Sequence, residues 1–285
     1  MFPCLSSTGR SPHEKSIREP RDFLMEPSKS ACALGLYKYK YNCDQSESDL
    51  FGRFYSTILH QFRSYGVAPT YIGAEGNGYS GKFTKFSGRT HDKLVESHFA
   101  GITALSIVAN PRGSEEPSYD NFANASLGFV EVNRELLACV VINESFVKLR
   151  STEYDALMRS QVELCRWDFG YGFSSSTEKQ PDFHILGLDN GKLSAEEYKS
   201  LRTWYAASCE IRTSSLRDIY AYNLLNGTQL DAHIRDGKTL RQFAQRQPGC
   251  SLTRLTDYDL YLWQVPDTDI ARLRELLVGT PALIS

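Results

Sequence analysis

Between Ser46 and Tyr65 the chain places Leu50, Phe51, Phe54, Tyr55, Ile58, Leu59 and Phe62 at steps of three and four. That period is one apolar face of an α-helix, and such a face must be buried against another element. Gly66 is a natural stop for it. Strand-like runs surround it. Residues 33–41, ALGLYKYKY, alternate aromatic and Lys in their second half, as a strand with one wet face does. Residues 67–72 and 102–109 read as strands, and 126–132 and 136–142 as a hairpin around Asn133-Arg134-Glu135. Residues 73–81 read as a Gly-rich loop, and 90–100 and 151–165 as further helices. In the second half, 167–173 (WDFGYGF) and 182–188 read as strands. Ser194-x-x-Glu197 is a capping box opening a helix to about residue 208. Residues 216–225 fit helix or strand, 228–234 and 239–247 short helices, 251–255 and 260–265 paired strands, and 268–278 a terminal helix. Runs of strands beside helices predict an α+β fold, with mixed or antiparallel sheets covered by amphipathic helices. The linker-like SSSTEKQP at 174–181 suggests an α+β domain at 31–173 and another at 182–285, or one continuous domain.

Composition narrows the function classes. The 285 residues carry 32 Lys and Arg against 34 Asp and Glu, a formal charge of −2, which argues against a dedicated nucleic-acid binder. No apolar run reaches the roughly 18 residues of a membrane-spanning helix. Residues 1–30 are rich in Ser, Pro and mixed charge and lack an apolar core, so they read as a disordered leader and not a signal peptide. Met25 is an alternative start, and a secretion leader is the competing reading. The seven cysteines include no C-x-x-C pair, so reduced structural thiols in a cytoplasmic protein are expected, with Cys139 inside an apolar run.

The sharpest motif is Gly76-Asn77-Gly78-Tyr79-Ser80-Gly81-Lys82, which fits the G-x-x-x-x-G-K frame of a phosphate-binding loop. Phe83 stands where a magnesium-holding Ser or Thr belongs, and the following FTKFSG reads as extended, not as a helix. The apolar run 137–144, LACVVINE, has Asn where a second magnesium contact needs Asp. A surface loop suited to binding is the better reading. His60 falls near the edge of a helix's apolar face, and His91 and His98 share one helix face, without the further ligands a metal site needs. Cys209, His233 and Asp236 form a nucleophile set that chance alone would supply. Arg212, Arg217, Arg235, Arg241, Arg246 and Arg254 interleave with aspartates, as on a solvated, salt-bridged surface. Tyr37, Tyr39 and Tyr41 share one strand face, and Trp167, Phe169, Tyr171 and Phe173 another. Core packing covers such stripes, and an exposed one would be a platform for a protein partner.

Residues 215–278 carry Leu216-Arg217-Asp218-Ile219-Tyr220, Asn223, Leu225, a Leu-Trp strand, Val265-Pro266 and a terminal helix. This stretch resembles uncharacterised bacterial immunity-type proteins of polymorphic-toxin and type VI secretion systems. The resemblance implies a non-enzymatic cytoplasmic protein that binds a toxin or effector and blocks it by steric occlusion. It implies no cofactor, no metal and no catalytic residue. The candidate binding residues lie on two loops and their flanks: Asn77, Tyr79, Lys82 and Arg89, and Tyr119 and Asp120. The alternatives are a nucleotide- or phosphate-responsive component of a bacterial defence system, working through residues 76–82, and a secreted effector.

Overall fold

Ser30–Lys38 (β1) reads SACALGLYK and is apolar at both parities, so both of its faces need cover. In the computed structural model, which describes residues 28–40, 46–110, 122–130, 135–189 and 191–284, both are covered. Cys32, Leu34 and Leu36 face the helices Glu47–Ser64 (α1) and Thr152–Val162 (α3). Ala31, Ala33 and Tyr37 face Ile185 of Pro181–Leu186 (α4) and Trp204 of Ala195–Ala206 (α5).

β1 is central in one ten-stranded sheet. The other strands are β2 (Tyr71–Gly76), β3 (Tyr79–Lys85), β4 (Ile102–Ala109), β5 (Ala123–Val130), β6 (Glu135–Asn143), β7 (Phe169–Ser176), β8 (Tyr222–Asn226), β9 (Ser251–Arg254) and β10 (Leu260–Gln264). The order is β3-β2-β4-β5-β6-β1-β7-β8-β10-β9, with every neighbouring pair antiparallel. The fold is α+β. The sheet runs without a break from strands before residues 174–181 to strands after them, because β7 pairs with β8.

α1 forms as its spacing predicts. The Ser46 hydroxyl accepts the Asp49 N–H as N-cap, and Leu50, Phe51, Phe54, Tyr55, Ile58 and Phe62 are buried. Each such side chain contributes about 1.5–3 kcal/mol of burial, so this face anchors the first half of the sheet. Beyond β8 a separate apolar cluster gathers around Trp263 of β10. It is closed by Gly227–Asp231 (α7), Leu240–Arg246 (α8) and Asp267–Leu277 (α9).

Some segments differ from the sequence reading, and others decide a choice it left open. Residues 182–188 are the helix α4, with Pro181 at its first position and Gly187 closing it, and not a strand. Residues 73–81 are most of a β-hairpin, and 67–70 precede the strand β2. Residues 216–221 are extended chain leading into β8, and Cys209–Ser214 (α6) is a helix of its own. The Tyr37 and Tyr39 face is no platform: it is 5 % and 4 % exposed under α4 and α5. Residues 1–27 and Tyr41 lie outside the described residues. Among those described, no helix is long and apolar enough to cross a membrane.

Candidate functional site

The glycines of the 76–82 motif serve a hairpin. Asn77-Gly78 is its two-residue turn, with Gly78 at φ +83°. The Asn77 N–H donates to the Gly101 carbonyl at 2.8 Å. A Cβ on Gly76 would stand 2.0 Å from that same oxygen, so the approach needs glycine. Lys82 then lies on an exposed strand that leads into no phosphate-facing helix turn, and the phosphate-loop frame is not formed.

β3 is an edge strand and runs beside the helix Gly88–Glu96 (α2), which opens with a Ser87–Thr90 capping box. The Tyr79 hydroxyl pairs with the Ser97 hydroxyl at 2.9 Å, and the Lys93 ammonium sits 4.9 Å above the Tyr79 ring. These contacts clamp the hairpin tip to the end of α2. Asn77 and Lys82 are exposed, Tyr79 is half-buried, and Arg89 is exposed in the first turn of α2, at the far end from the tip. Phe83, between Lys82 and Lys85, is 45 % exposed. Asn77, Tyr79 and Lys82 therefore lie on one hairpin at an edge of the sheet, and Arg89 lies on the helix that follows it. An open strand edge flanked by lysines can accept an extended partner segment and resists self-pairing. Tyr119 and Asp120 lie outside the described residues.

A second site was hidden in the sequence. Two of the arginines assigned to a solvated surface are buried, Arg212 at 7 % and Arg217 at 5 % exposure. Each caps the C-terminal end of a helix, where carbonyls lack partners. Arg212 donates to the Trp204 and Tyr205 carbonyls of α5 and pairs with Glu135 at 3.1 Å. Arg217 donates from Nη1 to the His184 carbonyl of α4 and to the Tyr171 hydroxyl, both at 2.6 Å. Tyr171 stacks on Tyr220 at 4.3 Å, and the Tyr220 hydroxyl meets His184 Nε2 at 2.9 Å. Burial, and then the Arg217 charge, push the His184 pKa well below its ordinary value, so its ring is neutral. Both guanidiniums also lie over the Trp204 ring, at 5.5 and 5.6 Å.

The remaining candidates do not assemble. His98 lies beyond the end of α2, at φ +49°, so His91 and His98 do not share a helix face; the His91 ring instead bonds the Tyr55 hydroxyl at 2.7 Å. Among the described residues no three His, Cys, Asp or Glu side chains are placed to hold a metal ion. Burial pushes the Cys139 thiol well up, as expected for an inert core cysteine. Cys209 opens into a hollow lined by Tyr39, Lys40, Asp168 and Asn226, with no histidine in it.

The comparisons with known proteins concern the fold. No family model matches the chain, and no curated protein matches its sequence. The fold resembles a solved one. The T6SS protein PA0821 of Pseudomonas aeruginosa superposes with a TM-score of 0.59 at 12 % identity, over 89 % of this chain and 77 % of that one.

Proposed function

We propose that this chain is a non-enzymatic, cytoplasmic, immunity-type protein of a bacterial type VI secretion setting, which binds a toxin or effector and neutralises it by occlusion. The reading is supported by likeness of fold to a T6SS protein across nearly the whole chain. The resemblance of residues 215–278 points the same way. The β3 edge supplies the surface: Lys82, Phe83 and Lys85 on the strand, Asn77 at the tip, and Arg89 on α2. A neutralising interface of about 1,200–2,000 Å² needs a few aromatic or Arg anchors at its centre, and Phe83 and Arg89 are of that kind. Residues 111–120, with Tyr119 and Asp120, extend the proposal to a second segment.

The test is capture followed by function. The full chain, tagged, is used to pull partners from the lysate of its source cell, and the captured protein is expressed alone and together with this chain. The expected result is growth arrest alone and rescue on co-expression. A Lys82→Glu/Phe83→Asp variant should lose rescue while its melting temperature stays unchanged. A captured protein without toxicity, or rescue untouched by the variant, overturns the reading.

A further inference from the structure

A cavity of about 720 Å³ lies between α4, α5 and α9, at some distance in the fold from the β3 edge. Its lining includes Arg217, His184, Tyr220, Phe173 and Ser200. Phe173, His184 and Tyr220 pack against one another with centroids 5.2–6.0 Å apart and form an aromatic wall. We propose that this cavity is a binding site for a carboxylate, with the Arg217 guanidinium as its anchor.

The contrast between the two buried arginines carries the inference. Each of the three Arg212 nitrogens has an acceptor, namely two helix carbonyls and the Glu135 carboxylate. Arg217 is as deeply buried, yet among the described residues no carboxylate pairs with it. Both of its hydrogen bonds leave Nη1. Nε and Nη2, which carry three N–H groups, have no protein acceptor among the described residues. Arg217 lines the cavity, and neither nitrogen is among the sealed, unpartnered polar atoms of the described residues. An Nε and Nη2 pair is the fork that takes a carboxylate through two parallel hydrogen bonds.

The rest of the lining sets the charge of the ligand. Lys179 pairs with Glu197 at 2.7 Å, Arg274 with Asp218 at 2.5 Å and Asp267 with Arg150 at 2.9 Å. His184 is neutral. The lining charges left over among the described residues are Arg217, deep in the cavity, and Glu196, exposed on the first turn of α5. One free cation facing one carboxylate fits a monoanion. A phosphate dianion would leave one charge uncompensated by Arg217. The aromatic wall favours a carboxylate borne on an apolar or aromatic group, which is either a free small acid or the C-terminus of a peptide.

The test uses titration calorimetry on the full chain. The probes are benzoate, its neutral isostere benzamide, inorganic phosphate, and one short peptide ending in Phe with its C-terminus free or amidated. Benzoate should bind at least tenfold tighter than benzamide, and phosphate no better than benzamide. A small-acid site takes benzoate and rejects the free peptide, whereas a C-terminus site takes the free peptide and rejects the amidated one. Either outcome supports the carboxylate assignment. Arg217→Lys keeps the charge and loses the fork, and should weaken benzoate binding at least tenfold. Should that variant fail to fold, Ser200→Trp decides: it narrows the cavity from α5 and should abolish binding at an unchanged melting temperature. Equal affinity for benzoate and benzamide together with equal affinity for the free and amidated peptides, or binding that survives Ser200→Trp, overturns the proposal.

Discussion

The hydroxyls of Tyr37 on β1 and Tyr171 on β7 stand 2.5 Å apart, and the direction of their hydrogen bond is fixed by their neighbours. Tyr37 donates to the Ile185 carbonyl at 2.6 Å, so Tyr171 donates to Tyr37 and its oxygen accepts from Arg217. The relay runs from a buried cation to a helix carbonyl without a carboxylate. Polarised chains of this kind are worth more than their separate links. Tyr37→Phe and Tyr171→Phe should each cost about 1–3 kcal/mol. The double variant should cost less than the sum by at least about 0.5 kcal/mol, read from denaturant midpoints. Strict additivity would show that the two phenols act alone.

Arg212 and Glu135 make the opposite case, a buried pair with a full carboxylate partner. Glu135→Ala should destabilise by about 3–5 kcal/mol, because it strands a charge inside the fold. Adding Arg212→Leu should recover part of that loss, although the α5 carbonyls then lose their donor. Urea unfolding of the parent and the two variants measures it, and a double variant less stable than Glu135→Ala would contradict the account.

His184 makes stability depend on pH. Its folded pKa lies well below 6.5, so the unfolded chain takes up a proton first as pH falls. Stability should therefore decline as pH drops below 6.5, by up to about 1.4 kcal/mol per pH unit. His184→Gln should flatten the slope. Asp182, in the same helix, acts with the opposite sign at lower pH: burial raises its pKa, so its protonation restores stability as pH falls toward 3.8. A stability profile level between pH 6.5 and 5 would refute the role given to His184.

The hairpin turn separates two glycines with different duties. Gly78 has open space around it, so Gly78→Ala pays only for its left-handed backbone, about 1–2 kcal/mol. At Gly76 a methyl group meets the Gly101 carbonyl, and Gly76→Ala should cost more and expose the β3 amides to hydrogen exchange. Equal costs at the two positions would place the constraint elsewhere.

The parts of this architecture written locally could be read from the sequence. α1 was legible because its apolar residues repeat within one segment, and the capping box at Ser194 because both of its partners lie in it. α4 was misread because DFHIL alternates like a strand. The punctuation of Pro181 and Gly187 was the stronger signal. Asn77-Gly78 is a hairpin signal that the phosphate-loop frame masked. Arg212 and Arg217 could not be told from surface arginines, since their partners Glu135, Tyr171 and His184 come from distant segments. The Tyr37 stripe showed its face, but not that α4 and α5 lie over it.

β1 is held on both sides by strands made much later, with Gly35 opposite Cys139 of β6 and Tyr171 of β7. On the ribosome β1 thus emerges well before either of the strands that flank it. At synthesis rates of about 5–20 residues per second it waits several seconds for β6. Meanwhile β2, β3, β4 and β5 pair with strands close to them in sequence. The β3 edge can be finished while the middle of the sheet is still a gap, and closing that gap is the step that joins the two halves of the chain.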